Sequence, residues 1–185
     1  MDELAAINEA IRLRGMFVQR YAGVEYAVAA LILHAQQHEA YTSHKGLPLS
    51  WSGSKGKVAR LHKLLALDGP LAQHRDDLGG YLASFAELDE RRNFLVYGIM
   101  TADRLAGPDA FRFRMFRSST DGTDYGLMSA TLSEMEALVE AVQPIATSLT
   151  ALVGRIFHTL SVPPIVAMFD PSAPAPFGLK LGTRL

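Results

Sequence analysis

Glu87-Leu88-Asp89-Glu90-Arg91-Arg92-Asn93-Phe94-Leu95-Val96-Tyr97-Gly98 is the stretch that decides how this chain is read, because it sets polar residues into an otherwise apolar helical face. At about 100° per residue for a helix, Leu78, Tyr81, Leu82, Phe85, Leu88, Leu95, Val96 and Ile99 share one arc. Arg92 lies near its centre and Asp89 inside it. Burying an unpaired charge is strongly unfavourable, so Arg92 must find a partner, line a cleft or face a second subunit. Asp89 precedes Arg92 by three residues and Asn93 by four, and Asn93 precedes Tyr97 by four. On a helix these spacings place all four side chains along one polar track. Such a track is either a site or a network that fixes the register of packed helices. Glu87, Glu90 and Arg91 fall on the opposite face and are expected to be solvated.

The run from Glu90 to Gly98 resembles the signature of HEPN domains, all-helical modules of prokaryotic toxins, abortive-infection proteins and other conflict systems. Their motif is an Arg, usually followed by a polar residue such as Asn, and then a His a few residues on. Arg92 and Asn93 match its first two positions, and Tyr97 stands where the His would be. The resemblance implies a homodimer in which Arg and His of two subunits meet across a cleft and cut RNA without metal or cofactor. Arg92 would hold the scissile phosphate and Asn93 would orient its neighbours. A histidine titrates near neutrality whereas a tyrosine ordinarily titrates at about 10. Tyr97 is therefore a poor general base, and reduced or lost RNase activity is expected.

Composition bounds the alternatives. The 185 residues are 49% hydrophobic and 20% charged, enough for one well-packed domain. A net charge of -1 argues against nucleic-acid binding through overall charge, so any basic patch must be local. With no cysteine, disulfides, thiolate catalysis and cysteine-ligated zinc are excluded. The N-terminus lacks signal-peptide regions, and the longest uninterrupted apolar run, Tyr26 to Leu33, falls short of the roughly 20 residues that cross a bilayer. A cytoplasmic protein without membrane partners is expected.

The periodicity predicts a mainly α protein: a helical bundle with a small β-hairpin insertion and an extended proline-rich C-terminal tail. Leu4, Ile7, Ile11, Val18, Ala22, Tyr26, Ala29 and Leu33 describe the apolar seam of one long helix from Asp2 to about Glu39. A loop from Thr42 to Gly53 carrying Trp51 leads to a short helix from Ser54 to about Leu67, ended by Asp68-Gly69-Pro70. The motif helix is expected from Arg75 to Thr101. Phe111 to Met115 and Tyr125 to Ala130 read as a hairpin around Asp121-Gly122. The last helix starts at Thr131 or Ser133, each three residues before a Glu, and should kink at Pro144. Its seam is Met135, Leu138, Val142, Ile145, Leu149, Leu152 and Ile156. Residues 1–160 are thus expected to form one helical domain, and 161–185, with Pro163, Pro164, Pro171, Pro174 and Pro176, a tail docked on that domain or on a partner.

Two basic features stand beside the motif. From Tyr41 to Arg75 the chain carries Lys45, Lys55, Lys57, Arg60, Lys63 and Arg75 against the single acid Asp68, and the hairpin adds Arg112, Arg114 and Arg117. Gathered around Arg92 with Asp89, the residues Lys55, Lys57, Arg60, Arg112 and Arg114 would make a funnel for phosphate; scattered, they are solvated faces. His34 and His38 have a spacing that can ligate zinc, but no third ligand or general base is placed with them, and no metal site is expected. Gly53-Ser54-Lys55-Gly56-Lys57 lacks the spacing of a nucleotide phosphate loop. Two functions follow. One is a HEPN-like protein interacting with RNA or nucleotides, a toxin or antiviral component. The other is a non-catalytic helical homodimer that engages a cognate protein partner.

Overall fold

The computed structural model describes residues 2–44, 53–119 and 122–160, with the backbone alone at 117–119. The expectations for Lys45, Trp51, the Arg117 side chain and the whole tail lie outside the described residues. The described chain is a bundle of five helices with a three-stranded antiparallel sheet.

Helix α1 spans Glu3–Ala35, capped by Asp2, whose carboxylate accepts the Ala5 amide at 2.7 Å. Its buried face is not the expected seam. Ala6, Ala10, Leu13, Phe17, Tyr21, Val24, Val28, Leu31 and Ala35 face the core, whereas Leu4, Ile11 and Tyr26 are exposed. Apolar residues line more than one side of this helix, so a second 3.6-residue phase fits as well as the first, and the larger rings of Phe17 and Tyr21 settle which side is buried.

A 3₁₀ turn over Glu39–His44 follows, and α2 covers Ser54–Leu65. Tyr41 is fully buried, and its hydroxyl accepts the Leu71 amide at 2.8 Å. A Cβ on Gly69 would stand 2.6 Å from that hydroxyl, which is why the turn after α2 carries a glycine.

The motif segment is two helices, α3 over Arg75–Glu87 and α4 over Asp89–Tyr97, and the expected continuous helix to Thr101 is not formed. At Leu88 the amide bonds back three residues to the Phe85 carbonyl, a tightened turn that shifts the phase of everything beyond it. Ile99, expected on the helical face, begins strand β1 (Ile99–Ala102) and is 71% exposed. Strands β2 (Ala110–Ser119) and β3 (Gly122–Thr131) form the expected hairpin, longer than its apolar alternation indicated, and β1 adds a third strand against β2. Phe111 and Phe113 enter the core from the inner face of the sheet.

Helix α5 runs Leu132–Leu160. Thr131 and Glu134 form the reciprocal capping box, with the Thr131 amide donating to Glu134 and the Glu134 amide to Thr131 Oγ1, which settles the start at Thr131. All seven residues of its expected seam are buried, and the helix continues through exposed Pro144. Arg20 donates to the Val139 carbonyl and His34 packs on Phe157, so α1 and α5 run parallel. Parallel neighbours require a long crossover, and the chain from α2 to β3 supplies it. Both helices are long and apolar enough to cross a membrane by length and composition, and 39% of each apolar window is buried inside the bundle.

Candidate functional site

Three helices meet at Arg92. From α1, Tyr21 and Glu25 project on the same side, one turn apart. Ser54, Lys55 and Lys57 come from the first turn of α2, and Asp89, Arg92, Asn93 and Tyr97 from α4.

The carboxylate that meets Arg92 is Glu25 and not Asp89, which corrects the expected i,i+3 pair. Arg92 Nη2 lies 3.4 Å from Glu25 Oε2, and Lys57 Nζ lies 3.5 Å from Glu25 Oε1. The same oxygen of Glu25 accepts the Ser54 hydroxyl at 2.7 Å. The side chains of Glu25 and Arg92 are each 16% exposed, so this is an ion cluster mostly withdrawn from water. Arg92 Nη1 also donates to Asn93 Oδ1 at 3.0 Å. The guanidinium carbon is 5.4 Å from the ring centroids of both Tyr21 and Tyr97, and these rings hold the cation by their π faces.

Asp89 is buried at the start of α4 and turns the other way. It accepts the Tyr21 hydroxyl at 3.0 Å and has Lys55 Nζ at 3.9 Å. A carboxylate in the first turn of a helix also meets the positive end of the helix dipole. Burial pushes the Tyr21 phenol far above its ordinary value; the nearby Ser54 hydroxyl pulls it down, and the negative charges of Asp89 and Glu25 add to the rise. Tyr21 is therefore a hydrogen-bond donor and not a base.

Six expected site residues are thus brought together: Arg92, Asn93, Tyr97, Asp89, Lys55 and Lys57. Three others are not. The Arg60 guanidinium donates to the His44 carbonyl at 3.0 Å. Arg112 is bound by Asp103 at 2.6 Å, because the tight turn after β1 carries that acid back beside β2. Arg114 is exposed on the outer face of the sheet. The expected funnel therefore reduces to Lys55 and Lys57. Tyr21, Glu25 and Ser54 were missed by sequence reasoning. One signal was present, since Glu25 is the sole charged residue between Arg20 and Glu39 in an otherwise apolar helix.

With Lys55, Lys57 and Arg92 against Glu25 and Asp89, the cluster carries one net positive charge. Its solvent-facing members are Lys55 and Tyr97, with a side-chain exposure of 86% and a residue exposure of 66% respectively. An anion arriving from solvent meets an ammonium and a phenol first and the guanidinium behind them. No histidine belongs to the cluster. His34 is buried against Phe157, with its titration lowered by burial, and the His38 ring accepts the Ala40 amide. Among the described residues no group of three His, Cys, Asp or Glu side chains is placed to hold a metal. Protein-family models, curated proteins and solved structures contain no match to this chain.

Proposed function

We propose that the protein is a HEPN-like binder of RNA or nucleotide phosphate, of the kind found in toxin and antiviral systems, whose RNA-cleaving activity is weak or lost. The observation that carries this reading is the convergence of Lys55, Lys57 and Arg92 on one cluster whose rim is Tyr97. An arriving phosphate competes with Glu25 for Lys57 and Arg92, and the two tyrosine rings keep the guanidinium oriented while the exchange takes place. The cluster contains no histidine, the residue to which the resembling motif gives the proton transfer. Binding without efficient cleavage follows. Arg92→Lys keeps the charge but loses the planar fork, so it should weaken oligonucleotide binding several-fold and Arg92→Ala more. Binding unaffected by both substitutions excludes the reading.

A second reading, a non-catalytic homodimer, has its own support. The exposed side of α1 carries Leu4, Ile11 and Tyr26 at 68%, 55% and 50% exposure, on one stripe with Val18 and Ala29. A second copy of the chain laid along this stripe would cover it. Light scattering at micromolar concentration distinguishes a dimer from the monomer mass of 20.2 kDa.

A further inference from the structure

The solvent side of the sheet is a second surface with a chemistry of its own. Alternation along β2 sends Phe111 and Phe113 inward and leaves Arg112, Arg114 and Phe116 outward. In register, Arg114 lies between Ile99 of β1 and Leu127 of β3, and Phe116 lies opposite Tyr125. Phe116 is 79% exposed, Ile99 71%, Leu127 52% and Tyr125 48%. The Phe116 and Tyr125 rings are 5.8 Å apart, edge to face. An exposed patch of this kind marks an interaction surface.

Its charge says what kind. Among the described residues the strand positions paired with Arg112, Arg114 and Phe116 carry no acid; Asp124, exposed one residue from Tyr125 on the alternate side of β3, accepts the Tyr125 amide, and Asp103 is committed to Arg112. Arg114 forms no ion pair among the described residues. A cation without an ion pair among the described residues, set between apolar neighbours and two residues along the strand from an exposed aromatic pair, suits a ligand with flat apolar faces joined by phosphates. The sheet also adjoins the Arg92 cluster along the chain. Tyr97, which flanks Arg92, is joined to Ile99 through Gly98 alone, and Gly98 is extended at φ -73° and ψ 140°. A Cβ there would run into the Phe94 carbonyl, so this close passage from helix to sheet requires glycine.

We propose that single-stranded RNA docks on the outer face of this sheet, with bases stacked on Phe116 and Tyr125 and a phosphate on Arg114. The inference rests on the RNA reading of the Arg92 cluster for the identity of its ligand, and it supplies the path of the strand beyond that cluster.

Fluorescence anisotropy with a labelled oligouridylate of ~10 nucleotides, a length suited to one small platform, tests it at low and moderate salt. The paired substitutions Phe116→Ala and Tyr125→Ala should weaken binding by about tenfold or more, since each stacked base is lost. Phe116→Leu with Tyr125→Leu should weaken it too, because leucine keeps apolar area but offers no ring. Arg114→Ala should reduce the salt slope by about one. All are exposed positions, so melting temperatures should stay near that of the unaltered protein. Wild-type affinity in the leucine variant overturns the proposal. Retained affinity with a changed oligomeric mass in the alanine variant also overturns it, and assigns the face to protein contact. Arg92→Ala separates the two readings: if it alone loses binding, the sheet proposal falls and the Arg92 reading stands. If the ring variants alone lose binding, the reverse holds, and no binding even at low salt removes both.

Discussion

Glu25 forms ion pairs with both Arg92 and Lys57, although it lies in the first helix and they lie in the fourth and second. One carboxylate thus holds two cations that would otherwise repel each other in a mostly buried cluster. Glu25→Gln removes that balance, and stability should fall by about 2 kcal/mol, the scale of a hydrogen bond to a charged group. The same change removes the acid that competes with phosphate, so oligonucleotide affinity should rise. Chemical denaturation and anisotropy on one preparation check both signs. A loss in both would mean that Glu25 only supports the fold.

On the proposed HEPN-like reading, Tyr97 stands where that family carries its histidine. The unaltered protein should show little or no RNA cleavage in EDTA, and Tyr97→His should create it. Adding Arg92→Ala to that variant should abolish the new activity, since the phosphate loses its charge-assisted anchor. Vigorous cleavage by the unaltered protein that survives Tyr97→Phe would remove Tyr97 from the site.

Arg14 joins α1 to the end of the motif helix. Its Nε donates to the Leu95 carbonyl at 2.5 Å, and Nη2 donates to the Val96 and Gly98 carbonyls at 3.2 Å each. These carbonyls lie where α4 ends, and without Arg14 they lose their charged donor. Arg14→Ala should cost about 2–3 kcal/mol by denaturant titration. Because the clamp also positions Tyr97 and the passage into β1, the variant should bind oligonucleotide less tightly than its residual stability alone predicts.

His34 is 4% exposed, and its Nε2 has no hydrogen-bond partner among the described residues. Burial against Phe157 lowers its titration below the ordinary histidine value. The unfolded chain therefore binds the proton more readily than the folded one. The stability contributed by neutral His34 is present above about pH 6.5 and is lost as pH falls from there towards the lower folded value. Thermal melts between pH 8 and 5 should show this loss, and His34→Phe should flatten it.

Ile11 tests the exposed stripe of α1. If that stripe covers itself in a dimer, Ile11→Asp should give a monomer by light scattering while the helical circular dichroism stays unchanged, because Ile11 is outside the core. An unaltered mass distribution would free the stripe from any role in assembly.

Some of this architecture follows from the order of residues alone. In α5 the apolar residues occupy one stripe and the charged ones the rest, so period and face are readable as far as Ile156, and the choice of cap narrows to Thr131 or Ser133 until the Thr131–Glu134 bonds decide it. The hairpin, too, is visible in the alternation of Phe111 to Met115. The helical class of the chain, and the placing of Asn93 and Tyr97 beside Arg92, need only local spacing.

Tertiary contacts decided the remainder. Apolar side chains line two sides of α1, so local periodicity is degenerate there, and only packing against α5 selects the face with Phe17 and Tyr21. The break at Leu88 is one tightened turn in a segment of good helix formers, invisible to a propensity, and within α4 it is the partners from other helices that separate Asp89, held by Tyr21 and Lys55, from Arg92, held by Glu25. Arg92 then takes its partner from Glu25, 67 residues away, and Arg112 takes Asp103 from the turn beside it. Charge pairing acts through space and not along the chain. The sequence therefore announced that Arg92 must find a partner, line a cleft or face a second subunit, and only the fold supplied Glu25 as its carboxylate.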